Sequence, residues 1–202
     1  MIPKTGRRLF AATSNPDKLG EFRRILYRAG FEVIGKEGEW DYPDPEETGV
    51  TLAENALIKA HEGHRRTGLP AFADDTGLEV DALQGDPGVF SARYAGPGAS
   101  YADNVRRLLQ EMNAVPTIRR TARFRCVIAF VDFNREQTWE GVAEGLILKT
   151  PRGRRGFGYD SVFWSFDLEM SFGEATPNQK HSVSHRARAL RVFASYIKEL
   201  AP

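Results

Sequence analysis

The chain has 202 residues, which is enough for one large domain with a sizeable core. Its 28 Lys and Arg residues almost balance its 27 Asp and Glu residues, and 41% of the residues are hydrophobic. This balance argues against a dedicated nucleic-acid or membrane-surface binder, and the hydrophobic content argues against a disordered protein. No apolar run reaches the length of a transmembrane helix.

Cys126 is the single cysteine, so no intrachain disulfide can form. Its apolar neighbours indicate a buried thiol in a reducing compartment. The basic N-terminal stretch Met1 to Thr13 lacks a long apolar run, so we expect no signal peptide and a cytoplasmic protein.

The first elements alternate between strand and helix. A buried strand is predicted at Leu9 to Ala12, then a helix that Ser14 or Asn15 caps and that ends near Ala29. A second strand is predicted at Phe31 to Ile34. This order favours parallel pairing and an α/β protein.

The next segment is a loop from Gly35 to Gly49, followed by a helix to about Thr67 that Thr51 and Glu54 open as a capping box. Ser100 and Asp103 predict the cap of a third helix.

A strand that includes Phe72 and Ala73 is predicted to stop at Asp74, because Asp and Gly are poor strand residues. Glu79 to Leu83 is predicted to be a separate short strand. Two acids would then lie at the end of a strand, where α/β proteins place their ligands.

The C-terminal half predicts a long hairpin, from Arg123 to Phe133 and from Gln137 to Leu148. A further strand is predicted at Tyr159 to Trp164, and a last helix from Ser184. We expect an α/β fold with an elongated mixed sheet, flanking helices and two lobes around a central cleft. No linker divides residues 1–202, so we expect one domain, with the hairpin region 121–150 in the second lobe.

Thr13 to Lys18 has the composition of a phosphate-binding loop at a helix N-terminus. Hydroxyls and the Lys18 ammonium would add donors to the backbone N–H groups. The segment lacks the glycines of a Walker A loop, and ordinary helix capping is the alternative.

Paired acids occur at Glu46-Glu47 and at Asp74-Asp75. Carboxylates at the end of a strand would hold a hard cation such as Mg²⁺. The alternatives are an exposed acidic loop for the first pair and a β-turn for the second.

Two features near the C-terminus could bind a flat, polar ligand. In Gly156 to Asp160, two glycines flank Phe157, so the backbone could approach a base on which Phe157 or Tyr159 stacks. Lys180, His185 and Arg186 supply donors near a helix start, and positive charge there opposes the helix dipole. A glycine hairpin with core aromatics and a solvated helix start are the alternatives. All these features together predict a nucleotide polyphosphate site.

Six blocks closely resemble, in order, the inosine triphosphate pyrophosphatase (XTP/dITP diphosphatase) family. They are Ser14 to Lys18 with Glu21, Glu46 to Gly49, Ala73 to Val80, Pro87 to Tyr94, Gly156 to Asp160, and Ser184 to Arg186. The resemblance implies a homodimeric, Mg²⁺-dependent enzyme that hydrolyses ITP, dITP and XTP to the monophosphate and pyrophosphate, without a nucleic-acid or membrane partner.

The resemblance also implies roles for single residues. Glu46 and Asp75 would bind Mg²⁺, and Asp75 would accept the proton. The residues that would contact substrate are Thr13, Ser14, Asn15, Pro16, Asp17, Lys18, Thr76, Phe157, Gly158, Tyr159, Asp160, Lys180, His185 and Arg186. His185 and Arg186 would contact the base and Lys18 the phosphates.

The chain departs from the family pattern at three places. Thr76 replaces a more usual serine and keeps the hydroxyl. Ser161 replaces a common proline, which could loosen the loop. Arg154 and Arg155 replace small residues and could add phosphate affinity.

Two other functions fit parts of the sequence. One is a pyrophosphatase for other modified nucleotides, which would use the same metal chemistry. The other is a non-catalytic nucleotide- or RNA-binding module with a basic face at Arg119, Arg120, Arg123 and Arg125. The net charge of +1 argues against the module.

Overall fold

The computed structural model describes residues 8–200. The strands in this range are β1 (Arg8–Ala11), β2 (Glu32–Ile34), β3 (Ala71–Val80), β4 (Pro87–Gly88), β5 (Thr121–Val131), β6 (Glu136–Ile147), β7 (Phe163–Ser165) and β8 (Met170–Ser171). The α-helices are α1 (Pro16–Arg28), α2 (Leu52–Thr67), α3 (Tyr101–Glu111), α4 (Pro177–Val183) and α5 (His185–Glu199).

The eight strands of the described range form one mixed sheet in the order β2-β1-β3-β5-β6-β7-β8, with β4 paired to β3. β1 is parallel to both β2 and β3, whereas β4 is antiparallel to β3. The predicted mixed α/β class is confirmed. Parallel pairing of β1, β2 and β3 places helices in the connections between them, because parallel strands need crossovers.

The capping signals in the sequence are confirmed. Asn15 caps α1 by accepting from the backbone N–H groups of Asp17 and Lys18. Thr51 with Glu54 caps α2, which ends at Gly68 with a positive φ of 66°. Ser100 with Asp103 caps α3 in the same way. These caps fix the starts of the helices locally, which is why the sequence predicts them well.

The predicted break at Asp74 is wrong, because β3 runs through both acids as one ten-residue strand. Asp74 and Asp75 are 1% and 7% exposed, so neither lies in a solvated turn. Their charges are balanced by lysines from other elements, and this tertiary pairing overrides the low strand propensity of Asp. The separate strand predicted from Glu79 is also wrong, since residues Asp81–Leu83 form a 3-10 turn.

The C-terminal elements differ from the prediction in two ways. The strand β7 begins at Phe163 rather than Tyr159, because Tyr159 lies in a turn before it. A short helix, α4, precedes the last helix and is capped by Thr176 with Gln179. Ser184 ends α4, and its hydroxyl accepts from the backbone N–H of Ala187 in α5.

The chain forms two compact units. Within residues 8–200, unit 1 comprises residues 8–75, 126–140 and 188–200, and unit 2 comprises residues 76–125 and 141–187. The hairpin region 121–150 is therefore divided, with its tip in unit 1 and its base in unit 2. Residues 1–7 and 201–202 of the expected domain, including most of the basic N-terminal stretch, lie outside the described range.

Each unit has its own hydrophobic core. The core of unit 1 includes Phe22, Phe72 and Phe193 together with Cys126, which is fully buried as predicted. The core of unit 2 includes Leu108 and Phe163. No helix between residues 8 and 200 is long and apolar enough to cross a membrane.

Candidate active site

A buried lysine joins the acids of unit 1. The ammonium of Lys59, on α2, lies 2.8 Å from Asp75 Oδ1 and 2.9 Å from Glu47 Oε1. The side chains of Lys59 and Asp75 are each only 10% exposed. The Lys59 ammonium thus fixes the orientation of the Asp75 carboxylate and ties the acidic loop to β3.

Burial and the neighbouring charges perturb both members of this pair. Burial raises the pKa of Asp75 above its usual range, although Lys59 and Lys18 oppose the rise. Burial would lower the pKa of Lys59, but attraction to Asp75, Asp74 and Glu47 outweighs it and raises that pKa. Asp75 is therefore a stronger base than a solvated carboxylate, held beside a permanent cation.

Asp74 serves a second lysine. Its Oδ1 lies 3.0 Å from the ammonium of Lys18, on α1, and its side chain is fully buried. The Cys126 thiol donates to Oδ2 at 3.8 Å. Asp74 thereby fixes the head of Lys18 and is not itself exposed to a ligand.

The phosphate-loop candidates Thr13 to Lys18 surround the start of α1. Thr13 is buried, and its hydroxyl accepts from the backbone N–H of Asn15. Ser14, Pro16 and Asp17 are exposed. The Ser14 hydroxyl donates to Asp44 Oδ1 at 2.9 Å. The backbone N–H groups of Asn15, Asp17 and Lys18 already donate to side chains of this segment, so the helix dipole and the Lys18 ammonium are what this helix start offers an anion.

The two predicted metal ligands each keep unused oxygen atoms. Within residues 8–200, the Glu46 carboxylate has no side-chain hydrogen bond or ion pair, and Asp75 Oδ2 accepts no hydrogen bond. No group of three or more potential ligand side chains is assembled there. A pair of carboxylates still fits Mg²⁺, which commonly takes one or two carboxylates and completes its shell with water and substrate phosphates.

The candidates of unit 2 cluster around Phe157. Arg186, which is 2% exposed, donates from Nη2 to the Thr76 hydroxyl at 3.2 Å. The Arg186 guanidinium and the Lys180 ammonium lie 5.6 and 4.8 Å from the centre of the Phe157 ring. Thr76, a predicted substrate contact, directly follows Asp75 in β3.

Asp160 holds this cluster in place. Its Oδ2 accepts from the Lys180 ammonium at 2.6 Å and from the backbone N–H of Phe157 at 2.8 Å. A Cβ atom on Gly156, whose φ is +73°, would lie 2.0 Å from the same oxygen. Glycine is therefore required at position 156, which explains the first glycine of the sequence block.

The remaining candidates of unit 2 have structural contacts. The Tyr159 side chain lies in the core, and its hydroxyl donates to the Ser91 carbonyl at 2.9 Å. Phe157 is therefore the ring that remains accessible for stacking. His185 is 3% exposed and stacks on Phe124, with ring centres 4.6 Å apart.

The loop that departs from the family pattern at Arg154, Arg155 and Ser161 is held by hydrogen bonds. The Ser161 carbonyl accepts from the Arg152 backbone N–H at 2.7 Å. Arg155 donates from Nη1 to the Glu174 carbonyl at 2.6 Å, and both Arg154 and Arg155 are exposed. Both arginines therefore present charge to solvent, and Arg155 is in addition held by a backbone carbonyl.

The basic face of the RNA-binding alternative is largely neutralised. Arg120 is 2% exposed and donates to four backbone carbonyls. Arg123 pairs with Glu79, Asp81 and Glu144, and Arg125 pairs with Glu79. These contacts count against a nucleic-acid surface, which requires available cations.

The sequence interpretation missed Lys59. The buried face of α2 consists of Leu52, Asn55, Ala56, Lys59, Ala60 and Gly63. A lysine on such a face must have a partner, because burying an unpaired charge is costly. That position was the available signal for a functional lysine.

The fold and these groups define an α/β protein that presents paired acids, lysines and a helix start in unit 1, and an aromatic ring with buried cations in unit 2. The Ham1 family model matches residues 9–196, and the chain belongs to this family.

Relatives match over nearly the full chain. The dITP/XTP pyrophosphatase of Methylococcus capsulatus is 48% identical over 96% of this chain and 98% of that protein, and that of Geobacter sulfurreducens is 45% identical over 94% and 96%. The solved HAM1 protein of Coxiella burnetii is 38% identical, with a TM-score of 0.86 over 96% of this chain and 100% of that one.

Proposed function

We propose that this protein is a metal-dependent nucleoside triphosphate pyrophosphatase that hydrolyses dITP, XTP and ITP to the monophosphate and pyrophosphate, and so removes altered purine nucleotides. The observation that carries this proposal is Asp75, a buried carboxylate with a raised pKa, one oxygen held by Lys59 and the other without a partner within residues 8–200. The names and near-complete coverage of the relatives support the choice of substrate.

The proposed cofactor is Mg²⁺, held by Glu46 and Asp75. When bound, a divalent cation offsets charge on the triphosphate and lowers the pKa of a bound water. Glu46 is exposed and lies beside Glu47, which Lys59 connects to Asp75. This connection supports the assignment of the two acids to one site.

Asp75 is the proposed proton acceptor. It takes a proton from the water that attacks the α-phosphorus, while the bond from that phosphorus to the bridging oxygen breaks and pyrophosphate leaves. Its raised pKa favours this role, because a base works best when its pKa approaches the working pH. Lys18, held by Asp74, stabilises negative charge on the departing pyrophosphate.

Thr13 to Asp17 lead into the start of α1 and supply further contacts to the phosphates, because the N-terminal end of a helix favours an anion. On the base, Phe157 offers a stacking surface that Asp160 and Lys180 hold in place. Gly158 and Tyr159, in the same loop, contact the substrate through their backbone.

Arg186 and His185 select the base. Both can donate to the 6-keto oxygen of hypoxanthine or xanthine, whereas adenine presents an amino donor at this position. A donor left unpaired in a buried site costs about 1–3 kcal/mol, which favours the keto purines.

The proposal includes a single ITPase-like domain, assembly as a homodimer, and a cytoplasmic location, where nucleoside triphosphates are used. Size-exclusion chromatography with light scattering tests the dimer. The mass of a single chain at micromolar protein concentration would contradict that part.

The test of function is a panel of ITP, XTP, dITP, GTP and ATP with Mg²⁺, assayed for pyrophosphate and orthophosphate separately. We expect pyrophosphate from the first three and little from GTP and ATP. Asp75→Asn is expected to lose almost all turnover. Orthophosphate as the primary product, or near-normal turnover by Asp75→Asn, would refute the assignment.

A further inference from the structure

A second buried lysine in unit 1 lies outside the motifs described above. Lys36 follows β2, and its side chain is only 1% exposed. Its ammonium lies 2.5 Å from Asp44 Oδ1 and 3.0 Å from the Ser14 hydroxyl oxygen, and 4.1 Å from the centre of the Tyr42 ring. One cation thus joins the loop that carries Glu46 to the start of α1.

Stability alone gives little reason for a charge at this position. Withdrawing an ammonium from water is costly, and a buried ion pair often does no better than apolar side chains of similar volume. The Asp44 side chain is 51% exposed, so water would solvate it without a partner. The specific consequence of Lys36 is therefore geometric, because it fixes where Asp44 and Ser14 lie.

Glu46 lies between two such fixed points. Two residues before it, Asp44 is held by Lys36, and directly after it, Glu47 is held by Lys59. The Glu46 carboxylate itself has no such side-chain partner within residues 8–200. Its position is therefore set by the lysines that hold its neighbours, as expected for a ligand oriented through its supporting residues.

Ser14 is held by the same cluster. Its hydroxyl oxygen accepts from Lys36 while its proton is donated to Asp44. Loss of Lys36 would detach both the Ser14 hydroxyl and Asp44 from the buried cation, while the hydrogen bond from Ser14 to Asp44 remains. This coupling links a proposed phosphate contact with a proposed metal ligand.

From this geometry, and resting on the proposed function, we propose that Lys36 is a positioning residue that holds Ser14 and the Glu46 loop in their substrate-binding arrangement. It contacts no substrate itself. Its loss should weaken binding of the metal–triphosphate complex while leaving the chemical step nearly unchanged at saturation.

The test is Lys36→Met, which keeps an unbranched apolar stem in the buried site. Binding of a non-hydrolysable α,β-imido analogue of dITP with Mg²⁺ is measured by calorimetry, alongside KM and kcat for dITP. We expect binding to weaken and KM to rise by about 10- to 100-fold, as for loss of other supporting residues, with little change in kcat. Asp44→Ala breaks the same link from its exposed end and is expected to act in the same direction.

Two controls separate positioning from general destabilisation. Val33→Ala creates a cavity in the core of unit 1 and should lower the melting temperature without changing KM. Lys198→Met removes an exposed lysine and should change neither. Unchanged analogue binding by Lys36→Met, or equal weakening by Val33→Ala at matched stability, would overturn the inference.

The double variant Lys36→Met/Asp44→Asn removes the charge of both partners. Under the positioning inference its binding stays weak, because the link remains broken. Full recovery would mean that Lys36 only neutralises Asp44, and would overturn the inference. If the parent protein released no pyrophosphate from dITP, the proposed function would fail, and analogue binding would still decide the role of Lys36.

Discussion

Substitution of Lys59 by Met tests the buried charge network most severely. The variant removes the ammonium that lies 2.8 Å from Asp75 and 2.9 Å from Glu47 and keeps most of the apolar stem. Asp75 is then left as a buried carboxylate with Lys18 as the other cation that lowers its pKa.

The magnitude follows from the geometry. At 2.8 Å, an effective dielectric constant of about 20 gives an attraction of about 6 kcal/mol, which is an upper bound. Lys18 remains, and both side chains of the pair are 10% exposed, so water compensates part of the loss. Breaking a buried pair costs about 3–5 kcal/mol, and we predict the lower end, about 3 kcal/mol of unfolding free energy.

The loss should depend on pH. Without Lys59, burial raises the pKa of Asp75 further. A folded-state pKa above the unfolded value gives stability that is present at low pH and is lost as the pH rises through the folded-state pKa. The raised pKa of Lys59 keeps its own contribution constant below about pH 10 in the parent. The deficit should therefore be smaller at about pH 5.5 than at about pH 8.

Urea unfolding at the two pH values measures the deficit, and the pH dependence of kcat/KM for dITP gives a second readout. The acid limb of that profile should move to higher pH in Lys59→Met. In Lys59→Met/Asp75→Asn the deficit should become smaller and independent of pH in this range. A deficit in Lys59→Met that does not change between the two pH values, with an unmoved acid limb, would refute the reasoning.

Three further substitutions test other contacts. Arg186→Ala should reduce the preference for ITP over ATP about tenfold, because it removes a donor to the keto oxygen; an unchanged ratio of kcat/KM values would contradict the base-reading role. Lys180→Met should lower the free energy of unfolding in urea by about 3 kcal/mol, because the buried Asp160 carboxylate loses the ammonium that pairs with it. Adding Asp160→Asn to the same chain should recover part of the loss. Arg120→Met should cost about 3 kcal/mol, because its donors satisfy buried carbonyls, while KM for dITP stays unchanged; a KM that rises severalfold would show that Arg120 also acts at the site.

The helix starts could be predicted because their signals are local. Thr51 with Glu54 and Ser100 with Asp103 contain the whole capping interaction within four residues. The same signal, Thr176 with Gln179, marks the short helix α4, which the sequence interpretation did not recognise. The local capping signal was therefore sufficient to predict α4, although the helix was not predicted.

The path of β3 could not be predicted from local propensity. Asp is a poor strand residue, and both acids depend on distant counter-ions. Asp74 pairs with Lys18 of α1, 56 positions away in the sequence, and Asp75 pairs with Lys59 of α2, 16 positions away. Only the folded chain brings these charges together. The role of Asp74, which positions Lys18, has the same origin.

The sequence predicted which motif residues belong to the candidate site better than it predicted their contacts. The acids and the Phe157 loop were identified, but Lys59 and Lys36 were not, because a lysine outside a motif resembles a solvated surface residue. The sequence offers both Tyr159 and Phe157 as the stacking ring and does not distinguish them. Packing in the folded protein places Tyr159 in the core and leaves Phe157 accessible.

The most direct test of the central claim is hydrolysis of dITP in water labelled with heavy oxygen, with mass analysis of both products. Activation of water by Asp75 for attack at the α-phosphorus predicts the label in dIMP and none in pyrophosphate. Label in pyrophosphate, or release of orthophosphate, would place the attack at another phosphorus and contradict the account.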